Sequence, residues 1–113
     1  MKNKAINALI EMGMPANIKG FHYIAEAMAL LEEDPSWKPG KTGKVYRRLS
    51  EMSGDTPSRV ERAIRHAFAI VLTDGYLDAV EKYLTLQNTT NGNLLATLYL
   101  RLSQEDKRAE GAD

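Results

Sequence analysis

Cysteine is absent from this chain, which excludes a disulfide scaffold, a thiolate metal site and a cysteine nucleophile. Histidine is scarce, with only His22 and His66 present and no second ligand at metal-binding spacing from either. Aromatic residues make up 7%, and Trp37 is the single tryptophan. No apolar run approaches the roughly 20 residues needed to cross a bilayer, and the N-terminus has neither the long apolar core nor the small-residue cleavage site of a secretory leader. An excess of either charge is also missing: 15 Lys and Arg balance 15 Asp and Glu, so no whole-molecule field draws the protein toward a polyanion. At 113 residues the chain has room for one domain, and none for a catalytic barrel or a doubly wound nucleotide-binding sheet. These absences lead us to expect a cytoplasmic protein with no cofactor and no metal.

The neutral total conceals a local imbalance. Residues 35–66 hold Lys38, Lys41, Lys44, Arg47, Arg48, Arg59, Arg62 and Arg65 against Glu51, Asp55 and Glu61, a net charge of +5, and both flanking segments are net acidic. A basic centre between acidic ends leaves one surface attractive to a polyanion. The same charges would serve equally as a solvated face unless geometry gathers them.

Period-two alternation is nowhere convincing, whereas apolar spacings of three and four recur, so the chain reads as all-α: one six-helix domain over residues 1–104 and a fraying tail over 105–113. The first helix is expected over 3–12, with Asn3 as its cap, Ile6, Leu9 and Ile10 inward and Gly13 at its end. The second is expected over 18–33 and turns Phe21, Ile24, Ala25, Met28 and Leu31 inward. The segment from Pro35 to Gly43 is rich in turn formers and basic groups; Trp37 within it is assigned to the core. A third helix over 44–53 carries Val45, Leu49 and Met52. Thr56 then caps a fourth, Pro57 suits its first position, and it runs to Leu72 or Thr73. A fifth helix over 76–86 has Leu77, Val80 and Leu84 inward, and a sixth over 92–104 has Leu94, Leu95, Leu98 and Leu102. The third and fourth helices, about 44–73, joined by a tight glycine-containing turn, match the pattern of a helix-turn-helix.

The fourth helix carries the chemistry. Advancing about 100° per residue from Arg59, the residues Val60, Ala63, Ile64, Ala67, Phe68 and Val71 fall between roughly 40° and 180°. Ser58, Arg59, Glu61, Arg62, Arg65 and His66 fill the rest of the circle. A helix with one face to bury and three arginines to display fits the major groove of duplex DNA, where residues near its N-terminus reach base edges. Arg59 and Arg62 can grip guanine O6 and N7 bidentately, and Glu61 can accept from a cytosine amino group. Arg65 and His66 lie a turn further on, where phosphates are the natural contact. Glu61 and Arg65 also stand at i,i+4 in the favourable order, a surface pair worth about 0.2–0.5 kcal/mol that needs no DNA to explain it. Arg59 and Arg62, by contrast, add positive charge at the positive end of the helix dipole, which stability does not favour.

The run Ser58-Arg59-Val60-Glu61-Arg62-Ala63-Ile64-Arg65-His66-Ala67, together with Met14-Pro15-Ala16-Asn17-Ile18-Lys19-Gly20-Phe21, resembles the C-terminal DNA-binding domain of the stage zero sporulation protein A family, the master sporulation response regulators. The resemblance extends from about Ile6 to Leu102. It implies six helices with a helix-turn-helix at the third and fourth, base reading by Arg59, Glu61 and Arg62 in a short TGTCGAA-type box, and phosphate contacts from Ser58, Arg65, His66 and Lys19. It implies too a head-to-tail pairing of domains on adjacent boxes, with the C-terminal helices contributing, and nucleoid association. Asn17 stands where that family carries histidine. Family members have a phosphoacceptor receiver domain, and its strand–helix alternation is not found in these residues; Met1-Lys2-Asn3-Lys4 reads as a native start, so either an excised domain or a stand-alone homologue is expected.

The reading drawn from these residues is a sequence-specific regulator of transcription that binds double-stranded DNA, with RNA polymerase or a full-length regulator as protein partners. The alternative is an interaction module that pairs with a full-length regulator and modulates it. An enzyme is not expected, since the two histidines lie on different helices without a paired-carboxylate motif or a Gly-rich phosphate loop. His22, beside Phe21 and Tyr23, reads as a helix-boundary residue.

Overall fold

The computed structural model describes residues 1–34 and 42–111, with side chains described through Glu105. Trp37 and the basic groups Lys38 and Lys41 lie outside the described residues. Among the described residues six helices follow in order: α1 (Lys2–Glu11), α2 (Lys19–Glu33), α3 (Gly43–Ser53), α4 (Pro57–Asp74), α5 (Leu77–Tyr83) and α6 (Asn91–Gly111). No strand occurs among the described residues. The radius of gyration, 13.3 Å, is that of a single compact body of this length.

The helix ends follow local chemistry. Gly13, at φ +88°, closes α1: its N–H donates to the Ile10 carbonyl, and the Met14 N–H reaches back to Leu9 at 2.9 Å. Such paired bonds satisfy carbonyls that a helix end would otherwise leave bare. Gly54, at φ +84°, ends α3 in the same left-handed conformation. Thr56 caps α4, its hydroxyl accepting from the Arg59 N–H at 3.2 Å, and Pro57 follows at the first helical position.

α4 lies at the centre, packed by α2, α3 and α6. Its Val60, Ile64, Ala67, Phe68 and Val71 are buried, and they meet Phe21, Ile24 and Met28 of α2, Leu49 of α3 and the leucines of α6 in one core. Burying each large side chain of this kind contributes about 1.5–3 kcal/mol relative to leaving it in water. Gly20 makes the α2–α4 approach close: a Cβ there would stand 2.2 Å from the Ala63 carbonyl oxygen.

Several expectations are corrected. Met1, not Asn3, precedes the first turn of α1, and no side chain caps it. Ile10 and Met52 are half exposed, at 55% and 50%, and Leu77 is 59% exposed. In α1 the small residues Ala5 and Ala8 face inward with Leu9, and in α5 the inward set is Ala79, Val80, Tyr83 and then Leu84. α5 is also shorter than expected, beginning after Tyr76 and ending at Tyr83. α6 continues to Gly111, beyond residue 104; its last residues include Glu105, Lys107, Arg108, Ala109 and Glu110, all strong helix formers.

Tyr83 ties three helices together. Its hydroxyl donates to Glu11 of α1 at 2.7 Å and stands 3.3 Å from Glu105 of α6, and Lys82 bridges the same two carboxylates at 3.5 and 3.6 Å. Burial, then the bond to Glu11, pushes the phenol up to about 12 from its ordinary value. The folded state therefore holds this proton more tightly than the unfolded chain. The stability it contributes is full below about pH 10 and is lost as the pH rises toward the folded value. An ultraviolet phenolate titration should show a late step that is lost in Tyr83→Phe; a variant that loses its amplitude in the ordinary phenol range and keeps the late step would refute this.

Candidate nucleic-acid interface

A helix that buries one face must display the other, and α4 does so in its first three turns. Ser58, Arg59, Arg62, Arg65 and His66 are exposed and Glu61 is half-buried. Arg59 and Arg62 form no ion pair or side-chain hydrogen bond with any described residue. Two guanidinium groups one turn apart are thus presented to solvent near the positive end of the helix, where an external anion or acceptor would offset their repulsion.

The surrounding elements shape this face into a groove. Lys19, the first residue of α2, joins Arg59, Arg62, Ala63 and His66 along one open concavity, with Asp55 at its edge. Lys19 is far from the others in sequence; the close α2–α4 contact at Gly20 brings it there. The remaining expected contacts lie elsewhere on α4. Arg65 pairs with Glu61 at 3.0 Å, and Glu61 lines a second, polar groove with Thr42, Tyr46, Asn88 and Asn91. The seven residues singled out from sequence therefore divide: Lys19, Arg59, Arg62 and His66 share the first groove, Glu61 and Arg65 form a pair beside it, and Ser58 stands at the exposed start of the helix.

Asp55, in sequence only one acidic charge within the basic segment, organises this region. Its carboxylate accepts from the Tyr23 hydroxyl and from Lys19 Nζ at 3.4 Å. Its N–H donates to Ser53 Oγ at 3.1 Å, and its carbonyl accepts from Ser50 Oγ at 2.5 Å. The turn between α3 and α4 is in this way stapled to α2 through its only side chain of negative charge. The Tyr23 bond and, after it, the charge of Lys19 hold the Asp55 carboxyl below the usual carboxylate range. Tyr23 moves the opposite way, its phenol raised by burial and by the Asp55 bond. Asp55 also cancels part of the field from Lys19 and Arg59, so the groove is basic without being uniformly so. The sequence signal was available: an Asp before Thr-Pro at a helix start is a turn-forming residue. Its partner Tyr23, 32 positions away, was not signalled.

His22 lies near the start of α2 and outside the groove, its Nε2 2.8 Å from the Ala16 carbonyl, consistent with a boundary role. The other basic groups of the segment are partly engaged: Lys44 pairs with Asp34 at 2.6 Å and Arg48 with Glu51 at 3.3 Å. Among the described residues no group of His, Asp and Glu could hold a metal ion, and no helix is long and apolar enough to cross a membrane.

Compared with known protein families, residues 5–102 match the family described as sporulation initiation factor Spo0A C terminal.

Proposed function

The chain belongs to that family of DNA-binding effector domains, which is a regulatory family and not one of enzymes, and from this premise we propose that it is a sequence-specific regulator that reads double-stranded DNA with α4. The α3–turn–α4 pair acts as the helix-turn-helix, and α4 enters the major groove by its N-terminal turns. Arg59 and Arg62 read guanine edges through their guanidinium forks, and Glu61 accepts from a cytosine amino group. Ser58, Arg65, His66 and Lys19 hold phosphates on either side and set the register. The box is of the TGTCGAA type. The observation that carries this reading is the pair of exposed arginines, with no hydrogen bond or ion pair among the described residues, on the first turns of a helix whose opposite face is buried.

Glu61 begins paired with Arg65. On DNA, Arg65 exchanges this carboxylate for a phosphate and leaves Glu61 free to accept from a base. A surface pair of this kind is worth only about 0.2–0.5 kcal/mol, so the exchange costs little.

A binding titration against a duplex carrying the box and a scrambled duplex of equal length, repeated across salt, tests the proposal. Tighter binding to the box is expected. Neutralising a phosphate contributes about −0.9 to the slope of log affinity against log salt, so two or more contacts give a slope of about −2 or steeper. Equal affinity for both duplexes, or a slope near zero, would overturn it.

A further inference from the structure

Asn91, the first residue of α6, is the one polar side chain in the described core, at 8% exposure. Its Nδ2 donates to the main-chain carbonyl of Glu61 at 2.9 Å, and among the described residues no donor reaches its Oδ1. Stability does not account for an amide at this place. The Glu61 carbonyl lies inside α4 and already accepts from the amide four residues on, so it has no need of a second donor. An aliphatic side chain of similar volume would fill the space without leaving a buried acceptor unmatched. What the amide adds is direction. Apolar packing between α4 and α6 resists separation but tolerates small slides and rotations, whereas a hydrogen bond loses most of its strength over such movements.

The bond falls on the second turn of α4, at the residue between Val60 and Arg62. A bidentate contact to a base edge has little tolerance, and a site loosened by about 1 Å is present but ineffective. We infer that Asn91 is a positioning residue for base recognition: through Glu61 it fixes the rotation and depth of the reading helix against α6, so that the side chains of Glu61 and Arg62 arrive at base edges together. This inference rests on the DNA-reading function proposed above and extends it to a residue that touches no DNA. It also makes the start of α6 the place from which a change in the C-terminal helix would be felt in base selection.

The test replaces Asn91 with leucine and measures binding to the TGTCGAA-type duplex and to duplexes altered at one base pair, alongside thermal melting and the salt slope. Asn91→Leu is expected to melt at or above the wild-type temperature and to keep the salt slope, because the phosphate contacts stay. The preference for the box over its single-base variants is expected to fall about fivefold or more, the worth of one weakened base contact. Asn91→Ala reads the same ratio where leucine proves too bulky to fold. A purely structural role would change melting and leave the ratio of the folded protein untouched; a ratio retained in full by a folded variant overturns the inference alone. A wild-type protein with no preference among these duplexes overturns the underlying reading, and the inference with it.

Discussion

Gly20→Ala is expected to lower the stability of the domain by about 2 kcal/mol, although alanine is the better helix former. Inside an exposed helix the exchange would be worth about 1 kcal/mol in favour of alanine. Here the new methyl would stand 2.2 Å from the Ala63 carbonyl oxygen and 2.6 Å from the Ala67 Cβ. The first obstacle is main chain and the second is a methyl without rotamers, so neither can swing aside. α2 and α4 must move apart, which opens the packing around Phe21, Ile24, Ile64 and Phe68. Overpacking of a well-filled core typically costs about 1–3 kcal/mol and more where backbone is displaced. The steric cost therefore exceeds the propensity gain. At roughly 4 °C per kcal/mol for a domain of this size, the midpoint of thermal unfolding should fall by about 8 °C. A midpoint equal to or above that of the wild type would show that the two helices separate without penalty. The displacement would also carry Lys19 away from Arg59 and Arg62, so weaker binding to all duplexes is expected to accompany it.

Arg59→Ala and Arg62→Ala are expected to act on DNA selection and not on folding. Neither side chain has a hydrogen bond or ion pair to lose among the described residues; Arg59 gives up only its longer-range attraction to Asp55, and removing charge from the positive end of α4 offsets that loss. Each should cost about 1–3 kcal/mol of discrimination, or roughly 5- to 150-fold in the ratio of affinities for the box and a variant at the contacted base pair. Arg65→Ala is expected to differ in kind. It should weaken box and scrambled duplex alike and flatten the salt slope by about one phosphate contact. Competition binding with single-base variants separates the two patterns. If Arg59→Ala and Arg65→Ala gave the same uniform loss, Arg59 would be a phosphate contact and the assignment of base reading to it would be wrong.

The all-helical architecture was legible because apolar spacing of three and four persists through every helix, and because the stops are strong. Gly13 and Gly54 at positive φ, Thr56 capping and Pro57 at a first helical position are local devices whose effect does not wait on distant residues. The core stripe of α4 followed from angular position alone. The misjudged residues share a cause. Ile10, Met52 and Leu77 have the apolarity and approximate spacing of core positions, yet they lie at helix ends or beside alanines that pack more closely. α1 packs chiefly on α2, and small buried residues such as Ala5 and Ala8 allow a close approach. Which side of a short helix wins is decided by the helix it meets.

The interface divides in the same way. That Arg59, Arg62 and His66 share the outward side of one helix is dictated by the helical period, and the sequence by itself determined it, together with the helix count and the caps of α4. Only tertiary structure decided that Lys19 joins them, that Asp55 is held by Tyr23 at the edge of their groove, and that Asn91 fastens Glu61 to the start of α6. A repeating backbone sets the angular position of each residue from its number alone, whereas contacts between helices depend on their separation and crossing. Those are settled by packing across the whole core, down to the missing methyl of Gly20.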